Sequence, residues 1–203
     1  MRIGLIFGSF NPVHNGHIEL GKRVLDMGLV DTVKFVIAKQ NPFKPNYGVS
    51  FADRERMLGI AIMEPVMKGY NMHILGVEEF AENSRTYCTL ETIKELHGYD
   101  NEYIIICGDD MYNQIPRWFN GQYILDNYKF IVFNRDEVSF ENSDKVTYLS
   151  TDGLEMVSSS YIRDIVQKYR SGKLNGSITD KLDGIINQSV LSYILQFNLY
   201  WIV

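Results

Sequence analysis

Arg2-Ile3-Gly4-Leu5-Ile6-Phe7 runs into Gly8-Ser9-Phe10-Asn11-Pro12-Val13-His14-Asn15-Gly16-His17 and on into the apolar-periodic stretch Ile18 to Leu29. That order reads as a buried strand, a tight glycine turn and a helix beginning at two histidines. A glycine turn lets backbone approach a ligand closely, and a helix start offers N–H groups without intrahelical partners, which favour anions. A phosphate fits such a place. His14 and His17 are three residues apart, so a helical first turn puts both imidazoles on one face. With an unperturbed pKa of roughly 6.5, histidine can donate to developing negative charge near neutrality. A His-x-x-His pair also suits zinc. However, no third ligand with helical or hairpin spacing lies nearby, and Asn15-Gly16 is a poor helix interior. Phosphate chemistry is the favoured reading, ahead of structural histidines and metal.

The chain has 203 residues, 45% of them hydrophobic, enough for one sizeable core and one domain over 1–203. The net charge of −5 argues against a nucleic acid held on a broad basic surface, whereas a mononucleotide needs only a local basic site. Cys88 and Cys107 are too few for a disulfide framework and lack metal-ligand pairing, so they read as free thiols in a reducing compartment. The N-terminus enters a strand without a signal-peptide pattern, and no stretch approaches the roughly 18 apolar residues of a membrane span. A cytoplasmic protein without a membrane partner is expected, and a homo-oligomer is compatible with the sequence. Repeats, low-complexity tracts and long linkers are absent, and the five prolines are scattered.

Outward from the front motif, short apolar runs alternate with helix-length periodic segments. Strands are predicted at Thr32 to Ala38, Asn71 to Leu75, Glu102 to Cys107, Lys129 to Phe133 and Val146 to Leu149. Helices are predicted at Ala52 to Met63, Cys88 to Leu96 and Ser189 to Leu199, with His97-Gly98 as a surface cap of the second. The pattern predicts an α/β fold, a Rossmann-like open, mostly parallel sheet with helices on both faces and a C-terminal helical part, about 157–203, packed on the sheet. In such sheets ligands gather beyond the carboxyl ends of the strands, so the loops starting at Gly8, Lys39, Gly108 and Asn134 should converge.

A second signal is Val157-Ser158-Ser159-Ser160-Tyr161-Ile162-Arg163. Serines before an amphipathic run are good N-caps, their hydroxyls and the nearby N–H groups can bind phosphate oxygens, and Arg163 adds a positive fork. Cap chemistry alone also explains the serines.

With these residues in view, Gly8 to His17 looks like the G-x-F-[DN]-P-x-H-x-G-H signature of the nucleotidyltransferase superfamily. Most of the chain resembles its nicotinate/nicotinamide mononucleotide adenylyltransferases. Val157 to Arg163 is similar to the family's I-S-S-T-x-I-R motif, with Val157 and Ser160 replacing Ile and Thr. Asn41-Pro42-Phe43-Lys44-Pro45 resembles the P-P-H-K loop, Phe43 standing for histidine, and Arg54 matches the arginine that starts the next helix. Tyr87 to Ile93 is similar to S-Y-T-x-D-T-L, with Cys88 in place of tyrosine. Gly108-Asp109-Asp110-Met111 and Pro116-Arg117-Trp118-Phe119 look like the G-x-D-S and P-x-W-[YF] pair. Composition alone favours an exposed loop lysine for Lys44; a solvated helix charge is an equal reading of Arg54, and a buried structural ring is the competing reading of Trp118.

The resemblance implies an adenylyltransferase that joins nicotinate mononucleotide to the AMP part of ATP and releases pyrophosphate, in NAD biosynthesis. It implies catalytic roles for His14, His17, Lys44 and Arg163, with His17 on the α-phosphate and Mg²⁺ bound through the ATP phosphates. Gly8, Ser9, Phe10, Asn11, Gly16, Gly108, Ser158, Ser159, Ser160 and Ile162 would bind the nucleotide. Thr89, Asp110, Trp118, Arg135 and Arg54 would bind the mononucleotide substrate, with Trp118 stacked on its ring. The front motif alone does not choose the acceptor. Nicotinamide mononucleotide, phosphopantetheine or glycerol phosphate as acceptor, and a regulatory nucleotide binder without turnover, are the alternatives.

Overall fold

The structure, a computed structural model, describes residues 1–39, 49–63, 67–77, 85–134, 142–152 and 157–201. Within them, strands β1 (Arg2–Gly8), β2 (Thr32–Ile37), β3 (Met72–Leu75), β4 (Glu102–Gly108), β5 (Lys129–Asn134) and β6 (Val146–Ser150) form one parallel sheet. Its order is β3-β2-β1-β4-β5-β6.

Successive side chains of a strand point to opposite faces, and here both faces are apolar, as expected of a sheet covered on both sides. Ile104 and Ile106 of β4 and Ile131 and Phe133 of β5 enter one core, while Tyr103, Ile105, Phe130 and Val132 enter the other. The first face is covered by α1 (Asn15–Asp26), α2 (Phe51–Ile62), α6 (Ser159–Arg170), α7 (Ile178–Leu182) and α8 (Gln188–Gln196). The second is covered by α3 (Thr86–His97), a 3-10 turn at Ile115–Arg117 and α5 (Gly121–Asn127). The helices α6 to α8 thus pack on the same face as α1. None of the described helices is long and apolar enough to cross a membrane.

The predicted strands and long helices are present, and their ends move by one to three residues. α1 stops at Asp26 rather than Leu29, because Gly28 takes a φ of 64° that a helix cannot continue through. Three short helices had no periodic signal: α4 (Asp109–Tyr112), α5 and α7. The start of α5 is set by packing. A Cβ on Gly121 would collide with the Ile115 carbonyl oxygen, so only glycine lets this helix close on the turn before it. His97 is not a plain surface cap. It is half-buried, with Nδ1 3.4 Å from Nζ of Lys34 on β2.

From β1 the chain builds outward through β2 and β3, then returns to place β4 against the other side of β1 and builds away through β5 and β6. Strand order therefore reverses between β1 and β4, and the crevice beyond their carboxyl ends is where such sheets bind ligands. Gly8 and Gly108 end those two strands. A pocket of about 230 Å³ lined by Arg2, Glu102 and Lys129 lies at the opposite, amino-terminal ends of the strands.

Candidate active site

The site is built on the loop between β1 and α1. Phe10 is 1% exposed at a φ of 44°, a backbone region that costs an L residue energy and persists only where packing over-determines it. Its ring sits edge-on to Phe35 (5.7 Å between centroids) and to His17 (5.0 Å). It also lies over Gly8, where a Cβ would be 2.9 Å from the ring. Gly8 is needed because Phe10 folds back onto it.

His14 is the N-cap of α1, and Asn15, Gly16 and His17 form its first turn. The two histidines do share a face: their rings are 3.7 Å apart between centroids. The His14 N–H donates to His17 Nδ1 at 3.2 Å, and the His17 N–H donates to the His14 carbonyl at 3.0 Å. Since His17 Nδ1 accepts, its ring proton sits on Nε2. His14 Nδ1 is closed off from solvent and has no hydrogen-bond partner among the described residues. Burial lowers the His14 pKa to about 4, which keeps the imidazole neutral at physiological pH.

The first turn of α1 is less open than the sequence suggests. Asn15 N–H donates to the Ile185 carbonyl at 2.9 Å and Asn15 Nδ2 to the Gly184 carbonyl at 2.8 Å. One predicted anion donor is thereby spent on protein. Gly184, at a φ of 71°, turns the chain so that these carbonyls face the helix start.

The second motif closes on the first. Ser158 caps α6, its Oγ accepting from the Tyr161 N–H at 3.2 Å. Ser159 Oγ donates to the Pro12 carbonyl at 2.8 Å, and Arg163 Nη1 donates to the Asn11 carbonyl at 2.6 Å. Arg163 Nη2 donates to Ser160 Oγ at 2.9 Å, and Ile162 is fully buried beneath them. Cap chemistry thus accounts for Ser158, while Ser159 and Arg163 bring α6 against the front loop. Tyr200, which sequence reasoning assigned no role, donates to Asn11 Oδ1 at 2.7 Å.

Arg54 is 6% exposed, not a solvated helix charge. Its Nη1 donates to the carbonyls of Ser9 (2.8 Å) and Ala38 (2.7 Å) and its Nη2 to that of Lys39 (2.9 Å). These bonds join the loops leaving β1 and β2, so the arginine predicted to bind substrate is engaged in holding the loop that carries Ser9. Lys44 and Arg135 lie outside the described residues, as does most of the loop after Lys39.

Across the crevice, Gly108 begins α4, where Asp110 is exposed and its Oδ1 accepts from the Met111 N–H at 2.9 Å. Trp118 is half-buried against the second core, just past the 3-10 turn. Beside it Phe119 meets Tyr87 edge-on at 6.0 Å and carries the Arg85 guanidinium at 4.4 Å from its ring. Thr89 is wholly buried in α3, its hydroxyl donating to the Arg85 carbonyl at 3.2 Å. Cys107, at the end of β4, is buried and its pKa is pushed up to about 12, so it stays a thiol.

The chain is similar to known proteins over most of its length. A family model described as cytidylyltransferase-like matches residues 5–165. A protein of Cytophaga hutchinsonii named "probable nicotinate-nucleotide adenylyltransferase" is 32% identical over 175 residues, 84% of this chain and 88% of the relative. One of the same name from Bacillus cytotoxicus is 30% identical over 200 residues, 98% of each chain. The Plasmodium falciparum nicotinic acid mononucleotide adenylyltransferase complexed with NaAD has the same fold. Its TM-score is 0.81 at 23% identity, over 98% of this chain and 97% of that one.

Proposed function

The chain belongs to the cytidylyltransferase-like family, on the branch of its nicotinate-nucleotide adenylyltransferase relatives, and from that premise we propose that it joins nicotinate mononucleotide to the AMP part of ATP, as a step of NAD biosynthesis. A phosphate oxygen of the mononucleotide attacks the α-phosphorus of ATP. The P–O bond to the β-phosphate breaks, and its electron pair leaves with pyrophosphate. The attacking oxygen is already anionic, so no general base is required, and catalysis rests on positioning and on charge stabilisation.

The observation that carries the reading is the His14–His17 pair, stacked at 3.7 Å at the start of α1 on a loop braced by Ser159 and Arg163. In this reading His17 donates from Nε2 to an α-phosphate oxygen while His14 lines the same anion site. Arg163 contributes positive charge from α6, and Lys44 steadies the departing pyrophosphate. Trp118 stacks on the pyridine ring and Asp110 binds the mononucleotide. The chain works as a single nucleotidyltransferase domain in the cytoplasm, where free thiols such as Cys88 and Cys107 persist.

Among the described residues no group of three or more His, Cys, Asp or Glu side chains comes together to hold a metal ion. In this reading Mg²⁺ would arrive with the ATP phosphates, to which Lys44 and Arg163 add positive charge. When bound, Mg²⁺ neutralises charge on the pyrophosphate.

The test is pyrophosphate release by purified protein with ATP and Mg²⁺, comparing nicotinate and nicotinamide mononucleotides. Faster turnover of the acid supports the reading. Preference for the amide keeps the chemistry and changes the acceptor, and silence with both overturns it.

A further inference from the structure

The front loop is tied to the far end of the chain. Tyr200 lies beyond α8 with its backbone at a φ of 63° and only 2% of its surface exposed. An L residue held in that region needs surroundings that over-determine it, and a buried phenol needs a hydrogen-bond partner. Both conditions are met. The ring joins the core formed by Ile162, Val190 and Ile194, and the hydroxyl donates to Asn11 Oδ1 at 2.7 Å. Burial raises the Tyr200 pKa, which keeps that hydroxyl protonated and able to donate.

Asn11 is therefore gripped at both of its carbonyl oxygens. Tyr200, 189 positions away, holds the side-chain oxygen, and Arg163, 152 positions away, holds the main-chain oxygen at 2.6 Å. The two grips come from different elements, and they meet between Phe10, whose ring abuts His17, and Pro12, whose carbonyl Ser159 holds. Three residues fixed in this way leave His14 little freedom to shift relative to α6.

We propose that Tyr200 is a positioning residue for adenylyl transfer: through Asn11 it holds residues 9–13 in the shape that sets His14 and His17 against the phosphates. The catalytic consequence rests on the function proposed above, while the latch itself is a property of the protein without substrate. A positioning residue lowers kcat more than it weakens binding, because a displacement of about 1 Å at a reacting group can cost up to about a hundredfold in rate.

The experiment is Tyr200→Phe, which keeps the ring and removes only the hydroxyl. The expected result is a kcat about tenfold lower or more, with KM for both substrates within about twofold of wild type. Amide hydrogen exchange across residues 9–13 of the substrate-free protein should also accelerate. Asn11→Ala should reproduce the exchange effect, and adding Tyr200→Phe to it should bring no further loss of kcat. Should Tyr200→Phe fail to fold, Asn11→Ala reads the same bond through exchange.

Unchanged kcat and exchange in Tyr200→Phe overturn the proposal. So does a loss that adds in full to that of Asn11→Ala, since Tyr200 would then act elsewhere. A wild-type protein that releases no pyrophosphate with either mononucleotide overturns the acceptor instead, and exchange alone then decides for or against the latch.

Discussion

His14 donates its backbone N–H to Nδ1 of His17 at 3.2 Å while the two rings stack 3.7 Å apart. The hydrogen bond fixes the tautomer of His17. Accepting at Nδ1 puts the His17 proton on Nε2, where it is a donor. Burial, separately, keeps His14 neutral.

His17→Ala removes that donor. The expected loss is on the order of 10² to 10³ in kcat, the usual scale for one hydrogen bond made to transition-state charge. The fold should survive, as judged by circular dichroism, because α1 keeps its buried Ile18 and Val24. A folded, fully active His17→Ala protein would remove His17 from the mechanism.

The lowered pKa of His14 makes stability depend on pH. The unfolded chain protonates this residue near 6.5 and the folded one only near about 4, so between these values the unfolded state binds more protons. The stabilisation is fully present above pH 6.5 and is lost as pH falls towards 4. At about 1.4 kcal/mol per pH unit it amounts to at most about 3.5 kcal/mol. Denaturant titrations of wild type and His14→Asn between about pH 8 and pH 4.5 check this. The difference in slope should vanish above pH 7, and equal slopes throughout would contradict the burial of His14.

Arg54→Lys should be destabilising, although charge is retained. A guanidinium reaches the carbonyls of Ser9, Ala38 and Lys39 at once, whereas an ammonium on a flexible stem does not match that fork. With each charged hydrogen bond worth about 1.5–3 kcal/mol, the expected loss is about 2–4 kcal/mol. For a chain of this size that is a fall of roughly 5–15 °C in Tm. A Tm that stays at the wild-type value, together with a raised KM for mononucleotide, would make Arg54 a substrate ligand rather than a clamp.

Strands β4 and β5 were legible because Tyr103 to Cys107 and Phe130 to Phe133 are continuous apolar runs, and only a sheet covered on both faces can bury them. The histidine pair was legible because its spacing is local. Arg54 was legible as a residue but not in its surroundings, since a charged side chain in a helix gives no sign that three carbonyls converge on it. Tyr200 was not legible at all: it follows the last periodic position of α8, and its partner lies 189 residues earlier. The pairing of Asn15 with Gly184 and Ile185 spans the chain in the same way, through backbone carbonyls that carry no residue identity.

Trp118 separates core from site. Its ring is half-buried against the second core, so truncation costs packing whatever else it does. If it also stacks on the pyridine ring, Trp118→Ala forfeits about 0.5–1.5 kcal/mol of aromatic pairing plus the area the ring covers, roughly a tenfold or greater rise in KM for the mononucleotide. Under the proposed function ATP is held by the front loop and α6, not by the 3-10 turn that presents Trp118. The expected pattern is therefore selective, with KM for ATP close to wild type and mononucleotide affinity lost. Trp118→Phe should recover most of it, since a smaller ring can still stack. Isothermal titration with each nucleotide separates the cases: equal weakening of both would make Trp118 a core residue alone.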